Sequence, residues 1–300
     1  MNYKNIIRSQ STRFAILRVL SWVPDPIMLR LQYRIKMGFW PDFKHPKRYT
    51  EKLQVFKMKY RKPLMHLCVD KYEVRKYVES KGLGFILNEL YGVYNKSEDI
   101  DFDVLPNQFV MKTTTGGGGQ NVIIVKNKES ENLDELRKKL SQWSDANNLG
   151  ALAGREWAYT ECKPRIVVEE YLETPTSSKS LIDYKFFCFN GEPKFLYVIT
   201  DRKSGEYAYL GVYDIYFNKL QTYRCDERRA EYAVAKPKNY EEMVEVARKL
   251  SADFPHVRVD LYNIDGKIYF GELTFYDGSG YFHYDPDSFD YEVGSYFTEY

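Results

Sequence analysis

Asp260 and Glu272 lie twelve residues apart on either side of Asp265-Gly266, inside two apolar runs that read as the arms of a β-hairpin. Side chains alternate with period two, so the register of that hairpin decides what the two carboxylates can do. A two-residue Asp-Gly turn pairs Asp260 with Gly271 and sends the carboxylates to opposite faces. A three-residue loop, with Gly266 in the left-handed conformation of a G1 bulge, pairs Asp260 with Glu272 on one face. Facing carboxylates repel unless a cation sits between them, so this second register implies hard-cation binding, Mg2+ being the usual partner of phosphates. The alternative is a surface pair diluted by Lys and Arg. Arg258 shares the face of Asp260, and the even spacing of twelve makes the facing register, built on an odd loop at Gly266, the expectation.

A second constellation joins Lys112 to Gly116, Gly117, Gly118 and Gly119 through three threonines. A strand follows the glycines and no Gly-Lys-Ser/Thr is present, so this is not a Walker loop. The pattern fits a strand-loop-strand cover, in which bare backbone N–H groups close over a triphosphate while the lysine reaches its oxygens. A flexible linker is the plainer alternative. Asp183 and Lys185 alternate with Tyr184 and Phe186, which puts two charges on one face of a strand, either as phosphate-handling groups or as an ion pair on a solvated face. Asp99-Ile-Asp101-Phe-Asp103 offers an Asp-x-Asp metal pattern. It lies in a polar connection with no nucleotide-binding strand-helix unit ahead of it and reads as a solvated acidic loop.

These residues need elements to hold them. Asp25 as N-cap, Pro26 at the first helical position and Gly38 predict a helix over about 26–37, with Arg30, Arg34 and Lys36 toward its end. Such a helix could rest on the inner face of a membrane, although docking with solvated arginines is the commoner arrangement. Residues 48–80 read as helical, with Asp70 capping the last helix ahead of Lys71. Phe85-Ile-Leu87 reads as a short strand, and a boundary is placed near Leu105-Pro106. Beyond it come a hairpin of 108–112 with 121–125, a helix marked by Leu133, Leu136, Leu140 and Trp143, and a strand over 164–172. Two strands joined by Asn190-Gly191 and a helix over about 239–253 precede the last hairpin.

With 300 residues, 44% of them hydrophobic, the chain has material for about two domains. A net charge of +2 gives no electrostatic reason for a nucleic acid partner. Cys68, Cys162, Cys188 and Cys225 and the four histidines are scattered without metal spacing, so reduced thiols in a cytoplasmic protein are expected. The run Phe14–Val23 contains Arg18 and is about half the ~20 residues of a membrane span, and it lacks a cleavage site. Neither a signal peptide nor a transmembrane helix is expected.

Tyr49-Thr-Glu-Lys-Leu53, Asp70-Lys-Tyr-Glu-Val-Arg75, Phe109-Val-Met-Lys112 with its glycines, Asp183–Gly191, and Arg258-Val-Asp260 through Phe270-Gly-Glu-Leu-Thr274 occur in an order and spacing that resemble an ATP-grasp enzyme. More closely the chain resembles the TupA-like branch, named from teichuronopeptide synthesis and found among genes for bacterial surface polysaccharides. The resemblance implies an α+β ATP-grasp fold, two sub-domains clasping ATP. It divides the chain into a helical N-terminal region (1–65), a reduced pre-ATP-grasp segment (66–105), a first sub-domain with the glycine lid (106–175) and a second with the metal site (176–300). It also implies that Lys71 and Lys112 contact ATP phosphates, and that Glu169, Glu170, Tyr171 and Leu172 form the hinge holding adenine, Glu169 toward its amino group and Leu172 by backbone. Asp183 would accept from the ribose, while Lys185 and Arg202 would hold the transferring phosphate. Arg258, Asp260 and Glu272 match the last strand pair of the superfamily, where acidic residues bridge Mg2+ ions to the β- and γ-phosphates. Thr274 would be a further metal ligand, standing where most of these enzymes have Asn and a poorer donor than an amide oxygen, and Asp277 is a carboxylate that could serve in its place.

The activity so implied is an ATP-dependent carboxylate–amine ligation through an acyl phosphate. The acid would be a uronic acid of a capsule or other surface polysaccharide and the amine an amino acid or amino sugar. Three alternatives stand beside it: a glycosyltransferase of polysaccharide synthesis, an ATP-grasp sugar phosphotransferase, and a nucleotide-binding subunit without chemistry.

Overall fold

The computed structural model describes residues 10–115, 121–145, 151, 153–174, 180–201 and 208–300. The chain forms two compact units, one of Met1–Arg61, Ala153–Glu156 and Thr174–Tyr300, the other of Lys62–Leu152 and Trp157–Glu173. Three helices open the larger unit: α1 (Gln10–Val19), α2 (Asp25–Met37) and α3 (Tyr49–Lys59). Gly38 closes α2 as expected, but the N-cap is Pro24 and Asp25 caps nothing. The Asp25 carboxylate is taken instead by Arg61 and Arg155, whose charges outcompete a backbone N–H for it. Among the described residues no helix is long and apolar enough to cross a membrane.

The smaller unit holds α4 (Leu64–Val69), α5 (Val74–Ser80), β1 (Leu90–Tyr94), β2 (Phe109–Thr113), β3 (Val122–Val125), α6 (Leu133–Asp145) and β4 (Ile166–Glu169). The helical stretch 48–80 is three helices, separated at residues 60–63 and 70–73, with the last beginning beyond Asp70 as expected. Pro63 stands as the N-cap of α4, and Asp70 opens the next helix by accepting from the backbone N–H groups of Tyr72 and Glu73. Phe85-Ile-Leu is no strand. Gly84–Ile86 makes a single helical turn, and the strand comes later, at β1. The sheet order is β1-β4-β2-β3, all antiparallel. Leu136 and Leu140 of α6 cover it together with Ile100 and Phe102. That burial accounts for the Asp-x-Asp segment: Ile100 and Phe102 anchor it while Asp99, Asp101 and Asp103 stay exposed, the solvated loop expected of it.

In the larger unit, β5 (Asp183–Phe189), β6 (Glu192–Thr200), β7 (Tyr209–Asp214), β8 (Tyr223–Arg224), β9 (Arg228–Arg229), α7 (Tyr240–Ser251), β10 (His256–Ile264), β11 (Lys267–Thr274), β12 (Tyr284–Asp285) and α8 (Ser288–Tyr296) follow in order. The sheet runs β11-β10-β5-β6-β7-β9. One face carries Tyr184, Phe186, Val257, Val259 and Leu261. It is covered by the buried stripe Met243, Val246, Ala247 and Leu250 of α7, spaced by three and four. The other face is divided. At the Phe187, Phe189 and His256 end it is apolar and sits under the Tyr49 ring of α3 and Phe297. The opposite end carries charges.

Candidate active site

Those charges meet because of a bulge. Ile264 pairs with Lys267, so Asp265 and Gly266, both at positive φ, form a two-residue turn. This corrects the expected three-residue loop. Continued unbroken, that register would put Asp260 opposite Gly271; between Leu261 and Asp260 it shifts instead, and Asp260 faces Glu272. Gly271 is the extra residue. A Cβ there would stand 2.9 Å from the Asp260 carbonyl oxygen and 3.3 Å from the Tyr262 ring, so only glycine lets the chain bulge at this point. The carboxylates share a face as expected, by a different device.

On its other side Asp260 pairs with Lys185 of β5, which brings Asp183, Lys185, Arg258, Asp260, Glu272 and Thr274 onto one face. Lys185 makes an ion pair with Asp260 and lies 3.8 Å from Asp183. Arg258 grips Asp260 with two bonds of 2.7 Å, and its Nη2 also reaches Glu272 at 3.1 Å and Thr274 Oγ1 at 3.0 Å. The cation between the carboxylates is thus a guanidinium. Asp183 and Lys185 are buried, which rules out the solvated-face reading. Burial pushes the Asp260 carboxyl above the usual range, with a smaller push from Glu272, while Arg258 and Lys185 pull it down.

Asp277 was expected as a stand-in ligand for Thr274. One of its oxygens pairs with Arg258 and the other accepts from Arg224 Nη1 at 3.0 Å. Burial alone would raise its pKa, but the two guanidinium groups outweigh burial and hold it below the ordinary value. Both oxygens are therefore committed to arginines. Thr274 donates to Glu272 at 3.2 Å while accepting from Arg258, so it orients the glutamate. Arg224 was missed by sequence reasoning, because the polar stretch around it carries no periodic signal.

Lys57 of α3 was missed as well. It is buried, and its ammonium donates to the Gly154 carbonyl at 3.0 Å, the Ser279 carbonyl at 2.8 Å and Ser279 Oγ at 2.9 Å. Gln54 adds bonds to the Ser279 and Gly280 carbonyls. One face of α3 thereby fixes the 277–280 turn that presents Asp277 to Arg258. The signal was available: a lysine within the apolar run Leu53-Gln-Val-Phe-Lys-Met58 must find partners if it is buried.

In the smaller unit β2 pairs with both β3 and β4, and Lys112 makes an ion pair with Glu169. Lys71 is brought to the same strand end by its backbone N–H, which donates to the Thr114 carbonyl at 2.9 Å. Glu170 is tied to Glu89 by backbone and side-chain bonds, while Tyr171 and Leu172 follow β4 half-buried, past the end of the strand predicted through 172. Gly116, Gly117, Gly118, Gly119 and Arg202 lie outside the described residues.

Among the described residues no cluster of three or more His, Cys, Asp or Glu side chains could hold a metal by itself. Asp260 and Glu272 are two hard oxygen donors on one face, although both Asp260 oxygens are engaged by Arg258 and Lys185, bonds that a bound ion would have to displace. That donor set fits Mg2+, which binds through one or two carboxylates and takes its remaining ligands from phosphates and water.

The TupA-like ATPgrasp family model matches residues 51–298. The chain belongs to the TupA-like ATP-grasp family. The match begins within α3, so it includes the helix that fixes the 277–280 turn. A comparison with curated proteins returns no match. Among solved structures the chain is similar to D-alanine–D-alanine ligase from Bacillus anthracis, at 19% identity and a TM-score of 0.45, covering 70% of this chain and 57% of that one. The Helicobacter pylori D-alanine–D-alanine ligase gives 16%, 0.42, 78% and 62% in the same order. N5-carboxyaminoimidazole synthetase from Staphylococcus aureus, complexed with ADP, gives 15%, 0.44, 79% and 52%. The chain thus spans little more than half the length of these proteins.

Proposed function

We propose that this protein is an ATP-dependent carboxylate–amine ligase that forms an amide through an acyl phosphate. The observation that carries the reading is the constellation of buried Lys185, Asp260 and Arg258 with the partly exposed Glu272, in a chain of the ATP-grasp family. In this reading Lys71 and Lys112 bind ATP phosphates, Gly116 to Gly119 cover them, and Glu169 to Leu172 hold the adenine. Asp183 accepts from the ribose. Asp260 and Glu272, oriented by Thr274, would hold Mg2+, which when bound neutralises the phosphate oxygens and polarises the γ-phosphoryl group. Lys185, Arg202 and Arg258 hold the transferring phosphoryl group and offset its developing charge.

The substrate carboxylate attacks the γ-phosphorus and ADP leaves, giving the acyl phosphate. The amine then adds to the acyl carbon, loses a proton and expels inorganic phosphate. The protein supplies position, charge and exclusion of water. We assign the acid to a uronic acid of a bacterial surface polysaccharide or its precursor, the amine to an amino acid or amino sugar, and the reaction to the cytoplasm, where ATP is available.

Incubation with ATP, Mg2+ and a panel of uronic acids paired with amino acids and amino sugars, followed by mass spectrometry, tests this. ADP with amide supports the ligase. ADP with a stable phosphorylated sugar makes the protein a phosphotransferase, and sugar-nucleotide turnover without ATP makes it a glycosyltransferase.

A further inference from the structure

The charge of the chain is unevenly placed. Residues 1–40 hold seven Lys and Arg against one acid, Asp25, although the whole chain carries only +2. Asp25 is already paired with Arg61 and Arg155, so it does not neutralise the others. Within this segment α2 buries Met28, Leu29, Gln32, Tyr33 and Met37. Its opposite face does not follow the rule of a docked helix. Ile27, Leu31 and Ile35, at successive spacings of four, are 44–56% exposed, and Arg30 and Arg34 lie between them on the same face. Trp22 before the helix and Trp40 after it are 78% and 57% exposed.

We propose that this outer face of α2 docks on an anionic lipid bilayer. An apolar stripe one residue wide per turn, edged by arginines and flanked by tryptophans, suits the boundary between acyl chains and headgroups. The isoleucines and leucine enter the apolar side, the arginine stems follow them while their guanidinium groups meet lipid phosphates, and the indoles sit at headgroup level. A second copy of the chain is a poorer occupant. A two-fold contact through this face would bring Arg30 and Arg34 of both copies together with no exposed carboxylate on α2 to receive them. The docking is independent of the reaction proposed above, since neither Arg30, Arg34 nor the stripe belongs to the constellation assigned to catalysis.

The test is sedimentation of the full chain with vesicles of phosphatidylcholine alone or containing phosphatidylglycerol, at low and high salt. Binding is expected only to the anionic vesicles and should weaken with salt. Each of Arg30→Gln and Arg34→Gln should lower the affinity roughly fivefold. Leu31→Ser with Ile35→Ser should weaken binding at both salt concentrations. Thermal melts and light scattering on the same variants report fold and oligomeric state. Equal binding to both vesicle types, no binding to either, or anionic binding untouched by all of these substitutions overturns the proposal. So does a dimer that the same substitutions dissociate when vesicles are not bound.

Discussion

Asp260 is buried between Lys185 and Arg258, and that position sets what its substitution must do. Read from sequence alone, Asp260→Asn and Glu272→Gln should both abolish turnover and spare the fold. The structure separates them. Asparagine at 260 leaves two buried cations without their shared anion, and breaking a buried pair costs about 3–5 kcal/mol, a large part of a typical ~5–15 kcal/mol of stability. Glu272, with about a third of its side chain exposed, has water to replace what it loses. Urea denaturation should therefore show Asp260→Asn several kcal/mol less stable and Glu272→Gln within about 1 kcal/mol of the parent, with turnover lost in both. Equal stability of the two variants would mean that the Asp260 pairs contribute little. His256 is a second buried group whose protonation bears on stability. It is fully buried, with Nδ1 on the Cys188 carbonyl and Nε2 on the Tyr49 hydroxyl, and burial lowers its pKa from 6.5 to about 4. The unfolded chain thus holds the proton more tightly than the native one. This contribution is present in full above pH ~6.5 and is lost as pH falls toward 4, an effect of about 3 kcal/mol. His256→Gln should flatten that part of the stability curve. An unchanged slope would assign it to other groups.

At the scale of elements, Gly271 decides whether two strands make a site. The spacing of Asp260 and Glu272 made a shared face legible, since even spacing and period two are local properties. The route was not legible, because a bulge at Gly271 answers to its close approach to the carbonyl of Asp260 and the ring of Tyr262 on the neighbouring strand, which residue type and spacing do not encode. The same limit explains β1. Leu90-Tyr-Gly-Val-Tyr94 is half-buried throughout, shows no alternation and has a glycine inside it, so only its pairing with β4 makes it a strand. Gly271→Ala and Gly266→Ala make an internal comparison. The first forces a Cβ against backbone at 2.9 Å, which should cost about 1–3 kcal/mol and disturb the Asp260–Glu272 pairing. The second meets nothing within 4 Å and strains only a positive-φ turn, costing about 1 kcal/mol and leaving the register intact. Turnover per folded molecule, read against Mg2+ concentration, should fall or need more Mg2+ in Gly271→Ala alone. The same change in both variants would detach the bulge from the site.

Across the whole molecule, the motif residues were visible from their types and order, whereas the pairings that hold them were not. Lys57, Arg224 and Asp277 act on Arg258 from segments as distant as 57 and 277, and their importance lies in burial and pairing, which sequence spacing does not encode. Ligand binding reads the assembled result. A ligand that binds the native chain at a hundred times its dissociation constant stabilises it by about 2.7 kcal/mol, which for a chain of this size raises the melting midpoint by about 5 °C. A non-hydrolysable ATP analogue with Mg2+ should produce that shift, and EDTA should remove most of it, because the carboxylates of Asp260 and Glu272 repel an uncompensated triphosphate. The two variants should then fail differently. Lys112→Ala, which removes the proposed phosphate contact and leaves the carboxylates proposed for the metal in place, should need far more nucleotide to reach the same midpoint while still responding to Mg2+. Glu272→Gln should keep a weak shift with nucleotide and lose its dependence on Mg2+, because one of the two proposed metal ligands has gone and with it part of the repulsion. A full shift in the folded Lys112→Ala protein would remove Lys112 from the nucleotide site. A shift in Glu272→Gln as sensitive to EDTA as that of the parent would take the metal away from Glu272.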